Sequence, residues 1–245
     1  MITPRLLLAD NAAAFAELAA ERIAAEVRAA IDTHGRCSLA LSGGTTPRPV
    51  YERLAHPDLD YDVQWCKVDI HFSDERCVPR DDPASNFRMA WDAMLKHLLM
   101  PRTRIHRMEG ERLNHDAAAA DYEARLPLSL DVLLLGVGFD GHTASLFPES
   151  PALDERVRRV VPSRSPEPPH WRLTITPPVI EDARSVIVLA AGEDKALAVA
   201  RALREPFEPR RVPAQLALRG TWILDRAAAE LAQQVAHGTA RGAEA

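Results

Sequence analysis

A chain of 245 residues with 47% apolar and 27% charged side chains has the make-up of a globular protein large enough to bury a substantial core. Its formal charge of −5 argues against nucleic acid or an anionic membrane surface as the main partner, because both select a basic field. Cys37, Cys66 and Cys77 are odd in number and form no C-x-x-C pair, which argues against a disulfide framework and fits reduced thiols in a cytoplasmic protein.

No secretory cleavage site follows the short apolar start, and no apolar run reaches bilayer length. Short apolar runs alternate instead with longer amphipathic stretches. This pattern predicts one α/β domain over residues 1–245: a doubly wound, mostly parallel, Rossmann-like sheet with helices on both faces. The first strand is expected at residues 5–9. A helix capped by Asp10 follows to about residue 32, with Phe15, Leu18, Ile23 and Val27 roughly on one face. Strands follow at residues 37–41 and 68–72. Asp82 before Pro83 predicts a helix entry, and that helix runs to about Met100, stopping before Pro101. A helix at residues 114–125 precedes the most apolar strand, 131–137, where Val132-Leu133-Leu134-Leu135 suits burial on both faces. The proline-rich stretch 162–170 reads as a rigid or wandering connection. Strands at 172–175, 185–190 and 221–224 and helices at 194–203 and 227–237 complete the order, and the tail 238–245 is expected to fray.

Three loops carry candidate chemistry. Ser42-Gly43-Gly44-Thr45-Thr46-Pro47 joins a strand to a helix, where glycines bring backbone N–H groups close to a ligand and hydroxyls add donors. It reads either as a phosphate cradle or as a tight turn with a threonine cap. It is neither the nucleotide P-loop nor the dinucleotide fingerprint. Asp74-Glu75-Arg76 ends the third strand. It is either a solvated loop or a planar guanidinium gripping an anion and held by its acidic neighbours. The third loop runs from Gly136 to Pro148 and places His142 among glycines at a strand end, which core packing explains poorly. Asp140 there can orient the imidazole. No second histidine or cysteine stands at ligand spacing, so neither a metal nor another cofactor is expected. Arg172 and Lys195 are weaker candidates, since a solvated charge accounts for either. The remaining histidines have no comparable setting.

At these loops the chain resembles the 6-phosphogluconolactonase family. Ser42 to Pro47 is similar to its S-G-G-[ST]-T-P, and Phe72 to Pro79 with Ser85-Asn86 and Met89-Ala90 to its second signature. Gly136 to Pro148 matches its G-x-G-x-D-G-H-T-A-S-L-F-P almost letter for letter, and weaker matches continue to Arg226. The resemblance implies the sugar-phosphate isomerase/deaminase type of fold and hydrolysis of 6-phosphogluconolactone. His142 would be the general base, since an imidazole suits neutral pH, with Asp140 or Asp74 orienting it or the water. Ser42, Gly43, Gly44 and Thr45 with Arg76, Arg172 and Lys195 would hold the phosphate.

Related glucosamine-6-phosphate deaminases tend to carry N-G-H, a glutamate five residues after the histidine, and a tyrosine after Asp-Glu. Here those places hold Asp140, Phe147 and Arg76, against the deaminase or isomerase alternative. A non-catalytic sugar-phosphate sensor would usually add a helix-turn-helix, for which there is no room before Arg5. A serine nucleophile would be expected on a G-x-S-x-G elbow, which is absent. A monomer or small homo-oligomer is expected.

Overall fold

The computed structural model describes residues 4–60 and 63–241. In chain order, β1 (Arg5–Ala9) leads into α1 (Ala12–His34), and β2 (Cys37–Leu41) into α2 (Arg48–Leu54) and α3 (Pro57–Asp60). Next come β3 (Val68–Phe72), β4 (Asp74–Arg76), α4 (Asn86–Ala90), α5 (His115–Glu123) and β5 (Val132–Gly136). The hairpin strands β6 (Val160–Arg164) and β7 (Trp171–Ile175) precede α6 (Pro177–Asp182), β8 (Ser185–Ala190), α7 (Ala196–Arg204), β9 (Thr221–Asp225) and α8 (Arg226–Arg241).

Six strands form one parallel sheet in the order β1-β9-β8-β5-β2-β3, and β4-β7-β6 form a small antiparallel sheet beside it. The parallel sheet is doubly wound, as expected. Alternate residues of β5 enter different cores: Leu133 and Leu135 pack with α5, α6, α7 and α8, whereas Val132 and Leu134 pack with α1 and α2. Burial on both faces is why this strand is apolar at every position. From β2 the chain moves outward to β3, then returns to β5 on β2's other side. The loops after β2 and β5 therefore diverge, leaving the crevice in which sheets of this kind bind ligands.

Several boundaries differ from expectation. Asn11, not Asp10, caps α1 by accepting from the Ala14 N–H at 3.0 Å, while Asp10 pairs with Arg226 at 2.7 Å. The helix ends at Gly35, whose φ of 74° suits a residue without Cβ. The helix expected from Asp82 to Met100 starts instead after Ser85 and gives way to a π-helical turn at Trp91–Leu95. A tertiary contact moves its start: the Glu75 carboxylate accepts from the N–H groups of Asn86 (2.7 Å) and Phe87 (2.8 Å). Asp82 is used in a local turn, accepting from the Ala84 N–H at 2.8 Å. The connection expected at 162–170 begins as strand β6. Pro162 is tolerated because β6 is an edge strand and needs no donor on its open side. β7, expected among the parallel strands, pairs antiparallel with β4 and β6. The last helix extends to Arg241, and residues 242–245 of the expected frayed tail lie outside the described residues. All three cysteines are free. Among the described residues no helix is long and apolar enough to cross a membrane.

One buried polar residue gives the fold a pH dependence. His71 on β3 is 2% exposed and stacks on His106, with ring centroids 4.7 Å apart. Burial first, then the His106 and Arg125 charges, lowers its pKa from 6.5 to about 3. In that window the unfolded chain binds a proton that the folded chain refuses. Stability is therefore intact above pH 6.5 and falls as pH drops toward 3. Replacing His71 by phenylalanine keeps a ring against His106 and should flatten the stability–pH slope by up to about 1.4 kcal/mol per pH unit. Denaturant unfolding from pH 6 to 4 measures this, and an unchanged slope would assign the acid sensitivity elsewhere.

Candidate active site

The loop after β2 is built to expose its backbone. The Ser42 N–H donates to the Tyr51 hydroxyl at 3.0 Å, and that hydroxyl donates back to the Ser42 carbonyl at 2.8 Å, so α2 pins the loop's first residue. Gly44 has a φ of 92°, and a Cβ on Gly43 would lie 2.0 Å from Asn86 Oδ1, so both positions require glycine. The buried Ser42 hydroxyl has no partner, and the N–H groups of Gly43, Gly44, Thr45 and Thr46 donate to no group among the described residues. A cradle of unpaired donors suits an anion. The helix behind it has only seven residues, so its dipole adds less than the backbone donors do.

β4 and β7 supply the cations. Their register sets Arg76 directly opposite Arg172. Arg76 donates to the Ala84 carbonyl at 2.6 Å and Arg172 to the Pro169 carbonyl; neither pairs with a carboxylate among the described residues. Burial, and then the adjacent Arg76 charge, pulls the Arg172 pKa down. Like charges set face to face are unfavourable unless an anion joins them. Lys195 reaches the same space from a short 3-10 turn after Gly192. Asp225, at the end of β9, holds that turn by accepting from the Gly192 N–H at 3.1 Å.

The loop after β5 holds the imidazole. Gly138 N–H donates to the His142 carbonyl at 2.8 Å, and the Thr143 hydroxyl to the Gly136 carbonyl at 2.9 Å. His142 Nδ1 lies 2.6 Å from Asp140 Oδ1, which also accepts from the His142 N–H at 3.1 Å. Burial raises the Asp140 pKa, but the hydrogen bonds and charge of His142 outweigh it and hold the carboxyl below its ordinary value. An ionised Asp140 only accepts, so Nδ1 is the nitrogen that donates to it, and in the neutral ring this leaves the lone pair on Nε2. Asp74 serves the loop differently: the Ser145 hydroxyl donates to Asp74 Oδ2 at 2.7 Å, tying the histidine loop to β4. Ala144, between them, has a φ of 49°, a strained conformation held by these contacts. Of the two carboxylates, Asp140 is the one in contact with the His142 ring, whereas Asp74 is bonded to Ser145 and Asn86.

All ten residues singled out in the sequence (Ser42, Gly43, Gly44, Thr45, Asp74, Arg76, Asp140, His142, Arg172 and Lys195) line one cavity of about 310 Å³. Sequence reasoning missed Ser73, Ser145 and the wall formed by Ser165, Pro166, Glu167 and Pro168. That wall is the β6–β7 connection, whose proline content signalled rigidity but not position.

Residues 10–224 match the family described as glucosamine-6-phosphate isomerases/6-phosphogluconolactonase. The chain belongs to this family. A 6-phosphogluconolactonase of Streptomyces coelicolor is 38% identical over 93% of this chain and 94% of its own. A human 6-phosphogluconolactonase is likewise 38% identical, covering 89% of this chain and 88% of its own. Among solved structures, 6-phosphogluconolactonase from Trypanosoma cruzi superposes with a TM-score of 0.81 at 30% identity, over 94% of this chain and 97% of that one. A monomeric glucosamine-6-phosphate deaminase superposes equally well, at a TM-score of 0.80, but is only 21% identical and speaks for the fold alone.

In this member of the glucosamine-6-phosphate isomerase/6-phosphogluconolactonase family, one glycine guards the histidine's position. A Cβ on Gly138 would lie 2.1 Å from both Nδ1 and Cε1 of His142. Gly138→Ala must therefore displace the ring from Asp140. A shift of about 1 Å in a reacting group costs about 10²-fold. The expected loss falls on kcat with KM retained, as steady-state kinetics would show, and an unaltered kcat would mean that the ring's position is not critical.

Proposed function

We propose that the protein hydrolyses 6-phosphogluconolactone to 6-phosphogluconate, the second step of the oxidative pentose phosphate route, with His142 as the general base. The observation that carries this reading is the sharing of one 310 Å³ cavity by the Asp140-oriented His142 and an anion clamp. The clamp is the Ser42–Thr45 loop with Arg76, Arg172 and Lys195, and it fixes the phosphate while the lactone ring extends toward the imidazole. Water gives a proton to Nε2 as its oxygen bonds to the lactone carbonyl carbon. The tetrahedral species then collapses, the bond from that carbon to the ring oxygen breaks, and the departing oxygen takes the proton back from the imidazolium. Phe147, 4.7 Å from the His142 ring, stands where the deaminase pattern would place a glutamate, which disfavours the isomerase or deaminase alternative.

In this reading residues 1–245 work as one lactonase unit in the cytoplasm, as a monomer or small homo-oligomer, without nucleic acid and without a metal. Among the described residues no group of three or more His, Cys, Asp or Glu is arranged to hold a metal ion. The test is a timed lactone-hydrolysis assay corrected for the spontaneous reaction, run with and without EDTA. Expected is a rate well above background that chelation leaves unchanged. No rate above background would remove the lactonase reading and leave a sensing role. Loss with EDTA and recovery with a divalent ion would overturn the metal-free mechanism.

A further inference from the structure

We propose that a second cleft, where β2, β3 and β5 begin, binds a small multivalent oxyanion such as inorganic phosphate or a phosphomonoester. It has a volume of about 490 Å³ and shares no residue with the His142 cavity, which lies at the opposite ends of the strands. α5 ends at Glu123, and the segment after it (Arg125, Pro127 and Ser129) forms one wall of the cleft. Asp69 and His71, two residues apart on β3, project from the same face of the sheet and line it.

Two independent features point to a ligand. The first is His71: it is 2% exposed, its buried Nδ1 has no partner, and neither ring nitrogen is hydrogen-bonded among the described residues. Folded proteins seldom leave such a group unsatisfied. The second is the charge balance. Asp69 is taken up by Arg104 at 2.9 Å and His106 at 3.3 Å. Asp131 accepts from the N–H and hydroxyl of Ser38, each at 2.8 Å, and faces Arg184 at 3.3 Å and His34 at 4.0 Å. Arg36 and Arg125 have no ion pair among the described residues; Arg125 donates only to the Asp121 carbonyl, at 3.1 Å. Both carboxylates are thus neutralised while two guanidinium groups and an unpaired imidazole remain. The two guanidinium groups, with the one N–H of the neutral imidazole, select an oxyanion and disfavour a cation.

The inference does not depend on lactone chemistry. Its test is titration of the intact protein with sodium phosphate at constant pH, followed by NMR of the histidine rings, because phosphate is also expected in the His142 cavity and the two sites must be read separately. Expected is a saturable shift of the His71 and His106 ring signals in the wild type. In R36A/R125A its half-saturation point should rise about tenfold or more. Both arginines are exposed, and a His142 response equal in the two proteins reports that the variant is folded. Absence of a saturable response at His71 and His106, or the same titration in both proteins, would overturn the proposal.

Discussion

Replacing His142 by glutamine should leave a folded protein that still binds 6-phosphogluconate but turns the lactone over about 10²–10⁴-fold more slowly, the usual worth of a positioned base. The lactone is already an activated ester, so the protein need not build a strong nucleophile; it needs a water held in place and a group to take its proton. With Nδ1 facing Asp140 at 2.6 Å, Nε2 is the acceptor of the neutral ring, and a glutamine amide cannot accept a proton at neutral pH. Asp140→Asn tests the same geometry from the other side. The amide can present a donor to Nδ1, favouring the wrong tautomer, so kcat should fall within the same range while KM changes little. Product binding by calorimetry separates the two effects that could lower turnover. If His142→Gln binds product normally and keeps near-normal turnover above background, the base lies elsewhere and Asp74 is next.

The candidate site was legible because most of its parts are local in sequence. Ser42 to Thr45, Asp74 to Arg76, and Asp140 with His142 each sit in a few residues directly after a strand, and parallel topology brings such loops to one edge. What escaped depends on contacts between distant segments. Asp74 accepts from Ser145, 71 residues away, as well as from Asn86, and no local pattern announces the first of these bonds. The start of α4 is dictated by Glu75, eleven residues before the backbone group it caps, so Asp82-Pro83 lost to a tertiary contact. Strand β6 was hidden because Pro162 counts against a strand unless its outer edge is known to be open. Glu167 joined the cavity wall for the same reason, since its place follows from the β6–β7 pairing that the prolines obscured.

The anion clamp yields the second large effect, and it should appear in KM. Arg76 and Arg172 oppose each other across β4 and β7, neither paired with a carboxylate among the described residues, and Arg172 is 7% exposed. A bound phosphate dianion converts that repulsion into two charge-assisted attractions in a partly desolvated cavity. Removing one such bond typically costs about 1.5–3 kcal/mol, so Arg76→Ala should lower kcat/KM by about 10–150-fold, mostly through KM. Lys195→Ala should act in the same direction but less strongly, because Asp194 at 3.2 Å already engages its ammonium. Arg76→Lys should recover only part of the loss, since an ammonium restores the charge without the planar fork. The double variant should lose less than the product of the two single effects, because both cations address one phosphate. A lactone lacking the phosphate sharpens the test: it should be a poor substrate for the wild type and equally poor for Arg76→Ala. Wild-type kinetics in both Arg76→Ala and Lys195→Ala would remove these residues from the phosphate site and leave the Ser42–Thr45 backbone and Arg172 to hold it.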